Sequence, residues 1–270
     1  MGPNRKPAHK PKLAKVLDSF SVSLNMQRVI LQSDEFKQLQ STDLGGYIKL
    51  LFHPDGHTDI AQLPEDARPL MRTYTIRELD CEKGQISVDF VKHQLQHKVN
   101  RKQGGYAISW AMNTKQGDEI YIGGPGNRSD IDFDAKQVIL VADMTAIPAL
   151  SAKLLSLNSQ ASGYVILQLQ SDEDRPDLCA LPSGMKLITV IGDQPEQLSQ
   201  AALEHIDVNI QDTAIWCACE FSTMKAVRTF CNQHKLIQRE KSYFSSYWKQ
   251  GVTEDGHKVI KHQDSETLRT

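Results

Sequence analysis

The stretch QVILVADMTAIPALSAKLLSLN, residues 137–158, decides the class of fold. It opens with a continuous apolar run that ends at Asp143, which is the pattern of a strand buried on both faces. The residues that follow, TAIPALSAKLLSLN (145–158), read as a helix. A buried strand followed directly by a helix is typical of a parallel sheet with crossover helices.

The rest of the C-terminal half repeats this order of strand and helix. We predict strands at 163–170, 185–192 and 213–220, and helices at 197–206 and 221–234. Residues 135–270 are therefore assigned to a parallel-sheet α/β domain with a C-terminal extension. Ligands of such sheets bind beyond the carboxyl ends of the strands. Those ends carry Asp143, the polar run 171–177, Gly192 with Asp193, and Glu220.

The N-terminal half has a different character. Six short runs, alternating or rich in β-branched residues, are separated by clusters of Gly, Asp and Pro, and a single helix at 104–117 interrupts them. We predict an antiparallel β-barrel over residues 13–134, preceded by a flexible basic arm at 1–12. The fold class is then an N-terminal antiparallel β-barrel followed by a C-terminal parallel-sheet α/β domain.

Composition restricts the class of function. The 270 residues are 40% hydrophobic and 24% charged with a net charge of −2, which argues against bulk nucleic-acid binding. No apolar run reaches the roughly 20 residues needed to span a bilayer, and polar residues stand where a secretory signal would be apolar. The five cysteines lack metal-site spacing and are expected to be free thiols. We expect a cytoplasmic monomer without a membrane span.

The run RTYT (72–75) carries the first chemical signal. In a strand, Arg72 and Tyr74 share one face. An arginine can neutralise a pyrophosphate with paired donors, and a tyrosine can pack against a flat ring. Thr75 could bond the edge of that ring if the strand twists or ends there. The alternative is an ordinary surface strand.

Six motifs in order carry a resemblance over nearly the whole chain: RTYT (72–75), DFVKH (89–93), GDEIYIGGPG (117–126), DMTAIPAL (143–150), EFSTMKAVR (220–228) and YWKQG (247–251). Together they resemble the siderophore-interacting protein family. The resemblance implies an FAD-dependent ferric-siderophore reductase with a ferredoxin-reductase-like architecture, which takes electrons from NADH or NADPH. A ferredoxin donor stays open.

The resemblance also implies site residues. It places FAD against three groups of residues: Arg72, Tyr74 and Thr75; Asp89, Phe90, Val91 and His93, largely through main-chain groups; and Ala107, Ser109 and Trp110 at a helix start suited to a pyrophosphate. It places the nicotinamide nucleotide near Asp143, Thr145 and Ala146, and near Glu220, Ser222 and Met224. It makes Lys49, Arg128 and Lys249 a basic triad for an anionic ferric catecholate.

Plainer interpretations of these residues remain open. Thr145 and Ser222 could simply cap helices, and the three basic residues could be solvated cations. We predict that His53, His57, His93 and His97 are not metal ligands. Of these, we expect only His93 and His97 to fit the i, i+4 geometry of a zinc-binding helix, and they lie on either side of a strand end. We assign no catalytic residue.

The predicted function is an NAD(P)H-dependent, FAD-containing reductase that reduces Fe(III) to Fe(II) to release iron from a catecholate or hydroxamate siderophore. Two alternatives are a general NAD(P)H-flavin reductase or diaphorase, and a non-catalytic siderophore-binding protein.

Overall fold

A computed structural model describes residues 11–61, 63–64, 67–92, 105–126 and 129–267. Internal contacts divide these residues into two compact units. The first comprises residues 11–22, 27–90 and 105–126, and the second comprises 23–26, 91–92 and 129–267.

The first unit is an antiparallel sheet of seven strands with one helix. The strand order is β4-β3-β7-β1-β2-β6-β5, and the pairings of β1 with β7, of β3 with β4 and β7, and of β5 with β6 are antiparallel. The elements are β1 (Lys12–Ser23), β2 (Met26–Gln32), β3 (Tyr47–Phe52), β4 (Leu70–Thr75), β5 (Glu78–Asp80), β6 (Gln85–Val91), helix α1 (Tyr106–Asn113) and β7 (Glu119–Gly126).

This sheet curls into a barrel because its two edge strands are consecutive in the chain. Strands β4 and β5 stand at opposite ends of the order, yet only Ile76 and Arg77 separate them. Such a connection spans about 10 Å at most. The amide of Ile76 donates to Gly46 O at 2.8 Å, before β3, while the amide of Arg77 donates to Ser87 O at 2.9 Å, on β6. The two edges therefore meet, and the barrel prediction is confirmed.

The second unit is a five-stranded sheet in the order β10-β9-β8-β11-β12. All four pairings are parallel, as the alternation of strand and helix predicts. The elements are β8 (Gln137–Ala142), α2 (Ile147–Leu154), β9 (Ser162–Leu169), β10 (Gly184–Ile191), α3 (Pro195–His205), β11 (Thr213–Glu220), α4 (Phe221–Gln233), β12 (Ser242–Trp248) and α5 (Glu254–Thr267).

The central strands of this unit are buried on both faces. Every residue of β8 and β11 is buried, and α2 packs on one side while α3 and α4 pack on the other. Cys217 and Cys219 point to the same face of β11, as predicted, with their sulfur atoms 3.7 Å apart. Burial raises the pKa of the Cys219 thiol well above its ordinary value, so this thiol is a structural group.

Three elements escaped the sequence analysis, namely β5, β12 and α5. Strand β12, SYFSSYW, mixes serines with aromatics at the sheet edge and has no clear alternation. Helix α5 is polar, and it is held by specific bonds: Arg228 pairs with Asp264 through two contacts of 2.7 and 2.8 Å, and His257 Nε2 lies 2.8 Å from Ser246 Oγ. The local sequence pattern of α5 does not predict these contacts, because their partners, Arg228 and Ser246, lie in other elements.

Within the described part of the chain, no helix combines the length and apolarity required to cross a membrane.

The buried carboxylate of Asp174 fixes residues 23–26 within the second unit. It is 2% exposed and accepts hydrogen bonds from Ser23 Oγ at 2.7 Å, from Asn25 N and Nδ2 at 2.8 Å each, and from Ser171 N at 3.1 Å. Burial alone would raise the pKa of Asp174, but the bonds from Asn25 and Ser23 outweigh it and hold the pKa below its usual value. The ionised form is therefore the one that stabilises the fold.

We expect Asp174→Ala to lower the free energy of unfolding by about 3 kcal/mol, because it leaves buried donors without an acceptor. Urea unfolding of the full chain measures the loss. Since the folded pKa of Asp174 is lowered, its contribution is present above the unfolded value near 3.9 and is lost as pH falls through the folded pKa.

The matched control is Asp172→Ala in the same short turn, where the side chain is 72% exposed and pairs with Arg175. That change should cost about 0–1 kcal/mol. Equal losses for the two variants would show that Asp174 is not the anchor.

Candidate functional site

Strand β4 presents Arg72 and Tyr74 on one face, with the exposed Thr73 between them. They stand opposite the buried residues Leu50 and Ile48 of β3. Arg72 is 8% exposed, and its Nη1 donates to Met71 O at 3.0 Å. The strand thus holds a guanidinium and a phenol ring side by side, as its alternation predicts.

Aromatic rings surround this face of β4. The rings of Tyr74 and Phe90 lie 4.3 Å apart between centroids, and Trp110 of α1 lies 6.0 Å from Phe90 and 6.1 Å from Phe52. Phe90 is fully buried, so any contact with a cofactor would come from its main chain. Tyr74, Thr75 and Trp110 are half-buried and keep part of their surface accessible.

The carboxylate of Asp89 is committed to the barrel itself. Arg28 on β2 binds it through Nε at 2.7 Å and Nη2 at 3.0 Å, and also reaches Glu78 through Nη1 at 2.8 Å. The hydrogen bonds that Arg28 donates to Asp89 raise the pKa of Arg28. A role of Asp89 toward FAD is therefore limited to its main chain, and Arg28 is a partner that sequence reasoning missed, although an arginine in the apolar run RVIL was a signal.

Helix α1 begins directly after Gly105, which has a left-handed φ of 83° and provides no side-chain cap. Ser109 is the first residue of the helix whose amide bonds back to Gly105 O, at 2.9 Å. The earlier amides of the first turn point outward from the helix end, as at any N-terminus. Ala107 is buried against the barrel core and Ser109 is exposed.

In the second unit, Asp143 joins three strand ends. Its Oδ1 accepts from the amide of Thr145 at 2.9 Å and from the Thr145 hydroxyl, and its Oδ2 accepts from the amide of Glu220 and from Trp248 Nε1 at 2.8 Å each. Burial raises the pKa of Asp143, against the hydrogen bonds of Thr145 and Trp248, which would lower it. All four contacts come from donors, so the carboxylate is an internal acceptor and not a free ligand for a cofactor.

Glu220 performs a similar task at the end of β11. Its Oε2 accepts from the amide and hydroxyl of Ser222 and from the amide of Thr223 at 3.4 Å, while Oε1 accepts from Gln250 N at 3.2 Å. The caps are thus Asp143 and Glu220, and the alternative that Thr145 and Ser222 are the caps is wrong. Glutamate is an uncommon cap, which is why the sequence pointed to the hydroxyl residues.

Two predicted nicotinamide contacts have side chains in the hydrophobic core. Ala146 is fully buried in the turn after β8, and Met224 of α4 is 2% exposed. Side-chain contact with a cofactor is excluded for both, and the amide of Ala146 already donates to Asp143 O at 3.0 Å. What the structure does bring together is the pair of turns after β8 and β11, through the bond between Asp143 and the amide of Glu220.

The predicted basic residues differ in their surroundings. Lys49 is half-buried on the face of β3 opposite Ile48 and Leu50, and within the described residues it forms no ion pair. Lys249 stands over the ring of Phe221 at 4.7 Å, beside a shallow cavity of about 440 Å³ also lined by Ser222 and Lys225. Arg128 and His93 lie outside the described residues.

Comparison with known proteins covers nearly the whole chain. Residues 15–129 match the family described as the siderophore-interacting FAD-binding domain, and residues 135–251 match the family described as siderophore-interacting protein. Helix α5 lies beyond both matches.

Individual relatives match at similar levels. Ferric vibriobactin reductase ViuB of Vibrio cholerae is 28% identical over 265 residues, 93% of this chain and 94% of that protein. NADPH-dependent ferric-chelate reductase of Escherichia coli is 26% identical over 238 residues, 84% of this chain and 88% of that protein. The crystal structure of siderophore-interacting protein SipS from Aeromonas hydrophila is 26% identical with a TM-score of 0.79, over 95% of this chain and 98% of that one.

We expect Asp143→Asn to destabilise the second unit by about 2 kcal/mol, because the new amide group must face N–H donors that had an oxygen. Urea unfolding measures this loss. In a double-mutant cycle with Trp248→Phe, the combined loss should be smaller than the sum, since both changes remove the same bond.

Asp193→Asn is the control, because Asp193 also follows a strand of this sheet but is exposed. An Asp143→Asn variant as stable as the control variant would refute the role of Asp143 as a shared acceptor.

Proposed function

The chain belongs to the siderophore-interacting protein family, and on that premise we propose that it is an FAD-containing reductase. It uses NADH or NADPH to reduce the Fe(III) of a ferric siderophore to Fe(II), which releases the iron. Relatives named as ferric vibriobactin reductase and NADPH-dependent ferric-chelate reductase support this reaction.

The observation that carries the proposal is the pairing of Arg72 and Tyr74 on one face of β4, within the half that matches an FAD-binding domain. The donor chemistry fits the cofactor. A guanidinium and the amides at the start of α1 suit a pyrophosphate, and a half-buried phenol ring suits a flat ring system. Thr75, at the end of the same strand, is half-buried and carries a hydroxyl for the ring edge.

The reaction requires little acid–base chemistry from the protein. FAD supplies the exchange between a two-electron hydride donor and a one-electron iron acceptor. Residues of this chain bind and orient, which agrees with the lack of any assigned catalytic residue. Hard oxygen donors hold Fe(III) more firmly than Fe(II), so reduction itself frees the ion.

We assign substrate attraction to Lys49, Arg128 and Lys249. Lys49 is the most informative of them, because a half-buried ammonium without a described carboxylate partner is available to an anionic ligand. Lys225 and Lys249 beside one cavity add positive charge near the end of β11. We place the nicotinamide nucleotide at the turns after β8 and β11, which carry Asp143, Thr145, Ala146, Glu220, Ser222 and Met224.

We further propose that the protein acts as a monomer in the cytoplasm. Its five cysteines are free thiols, which suits a reducing compartment, and that compartment also supplies reduced nicotinamides.

The purified protein, reconstituted with FAD, should be yellow, and anaerobic NADH or NADPH should bleach the flavin band. Stopped-flow absorbance measures this step, and a ferric siderophore should then restore the band. Turnover on free flavin but not on ferric siderophores would favour the general flavin reductase. If neither NADH nor NADPH reduces the bound FAD, the protein is better described as a siderophore-binding protein. If reduced ferredoxin bleaches the flavin band in that case, ferredoxin is the electron donor.

The double substitution Lys49→Ala/Lys249→Ala should raise the KM for an anionic ferric catecholate about three- to tenfold, because two attractive charges are lost. For a neutral ferric hydroxamate the rise should be smaller. Bleaching of the flavin by nicotinamide should be nearly unchanged.

Lys83→Ala/Lys186→Ala makes the same change in net charge at two exposed positions and serves as the control. A similar rise in KM for both siderophores, or a similar rise in the control, would rule out a local role for Lys49 and Lys249.

A further inference from the structure

A histidine–aspartate–histidine cluster lies in the connection after β3. His53, Asp55 and His57 place one ring nitrogen each and one carboxylate oxygen within 4.8 Å of one another. His53 Nδ1 is 3.3 Å from Asp55 Oδ2, and the two imidazole rings stack with centroids 4.2 Å apart and an angle of 11°. The proposed reductase chemistry uses none of these groups.

The backbone of this segment, HPDGH, closes it into a tight turn. The amide of Gly56 donates to His53 O at 2.8 Å, and the amide of His53 donates to His57 O at 2.8 Å. Pro54 takes a favoured second position of such a turn, and Gly56 has a left-handed φ of 91°. The histidines are four residues apart, and a turn brings them together where the sequence analysis considered only a helix.

Packing holds the turn against the barrel. A Cβ added to Gly56 would lie 2.4 Å from the ring of Tyr106, so that ring lies directly against the turn. The side chain of His53 is only 18% exposed, whereas that of Asp55 is 79% exposed. One ligand is thus fixed and the other two can adjust. Burial of His53 lowers the ordering cost for that one ligand, whereas Asp55 and His57 must be ordered when an ion binds.

The set of ligand types suits a divalent metal ion. Two imidazoles and one carboxylate bind Zn²⁺ with one open position, and the same set is typical of Fe(II) sites with open positions. Ligand atoms around a tetrahedral ion lie about 3.3 Å apart, by bond lengths near 2.0–2.1 Å. Nδ1 of His53 and Oδ2 of Asp55 already have this separation. A bound ion would replace the hydrogen bond that His53 Nδ1 accepts from Asp55 N at 3.1 Å, and the ring of His57 must turn out of its stack with His53 to face the ion.

The charge of the surrounding segment also favours a cation. Residues 53–69 contain four acidic residues, Asp55, Asp59, Glu65 and Asp66, against the one basic residue Arg68. The turn begins at the residue after β3, the strand that carries Lys49. Four strand residues correspond to about 13 Å.

We propose that His53, Asp55 and His57 form a three-ligand site for a first-row divalent metal ion, and that its ion is Fe(II) freed by reduction. The choice of Fe(II) rests on the proposed function, while the presence of the site does not. The site accepts the ion next to the strand that attracts its ferric complex.

Direct binding measurements test the site. Full-length chain without a polyhistidine tag, freed of metal and kept oxidised without nicotinamide or siderophore, is titrated with Co(II) and followed by visible absorption. Anaerobic equilibrium dialysis then measures Fe(II) binding. We expect one ion per chain, with affinity at least about tenfold weaker in His53→Ala and in His57→Ala, since loss of a ligand should cost at least as much as loss of a supporting group.

His262→Ala is the matched control, because His262 is an exposed imidazole 3.5 Å from Glu266 and, among the described residues, belongs to no cluster of three metal-ligating groups. Its affinity should equal that of the wild-type chain. Circular dichroism checks that each variant is folded. Asp55→Asn, which keeps the shape of the side chain, should also weaken binding.

Two results would overturn the proposal. Binding that survives His53→Ala/His57→Ala would assign the ion to other histidines, and Co(II) binding without Fe(II) binding would show that Fe(II) is the wrong occupant. Neither depends on electron transfer: a chain that binds these ions but whose flavin is never reduced would refute the proposed function and leave the metal site standing.

Discussion

The second unit depends on a buried carboxylate that accepts four hydrogen bonds and, among the described residues, forms no ion pair with a cation. Asp143 is 6% exposed, and such a group is costly unless its oxygens are hydrogen-bonded. Thr145, Glu220 and Trp248 supply those bonds from the turn after β8, the end of β11 and the end of β12. One side chain therefore sets how three parallel strands end.

The need to hydrogen-bond buried carboxylates also explains the acidic residues in the motifs that resemble the family. DMTAIPAL and EFSTMKAVR mark the region where a nucleotide is expected, yet their acidic side chains bond to the protein itself. The carboxylate of Asp89 in DFVKH is also bound within the protein: Arg28 Nε lies 2.7 Å from Oδ1, and Arg77 Nε lies 3.8 Å from Oδ2. These acids shape the turns and strands, and the amides of Thr145, Glu220 and Ser222 that they bond are thereby occupied within the protein. Arg72, Tyr74 and Lys49 carry a guanidinium, a phenol ring and an ammonium group, which suit an anionic or planar ligand.

A ferric reductase must also deal with its product. Fe(II) prefers imidazole and carboxylate ligands over the hard oxygen donors that hold Fe(III) in a siderophore. The turn HPDGH offers that softer set on the barrel, held by a glycine that no larger residue can replace without displacing Tyr106. The barrel thus carries cationic groups, aromatic groups and the proposed metal ligands on elements that follow one another in the chain.

The sequence by itself determined the two halves, their sheet types and most of their elements, because buried parallel strands and half-buried barrel strands have different hydrophobic periods. It also determined that Arg72 shares a face with Tyr74, and Cys217 with Cys219, since alternation in a strand is a local property. Tertiary structure alone decided the partners: Arg28 with Asp89, Trp248 with Asp143, Arg228 with Asp264. Those residues lie 61, 105 and 36 positions apart, and no local pattern encodes which distant donor reaches a buried acceptor. Likewise, His53, Asp55 and His57, the proposed metal ligands, lie close together because main-chain hydrogen bonds close the turn and Tyr106 packs against it.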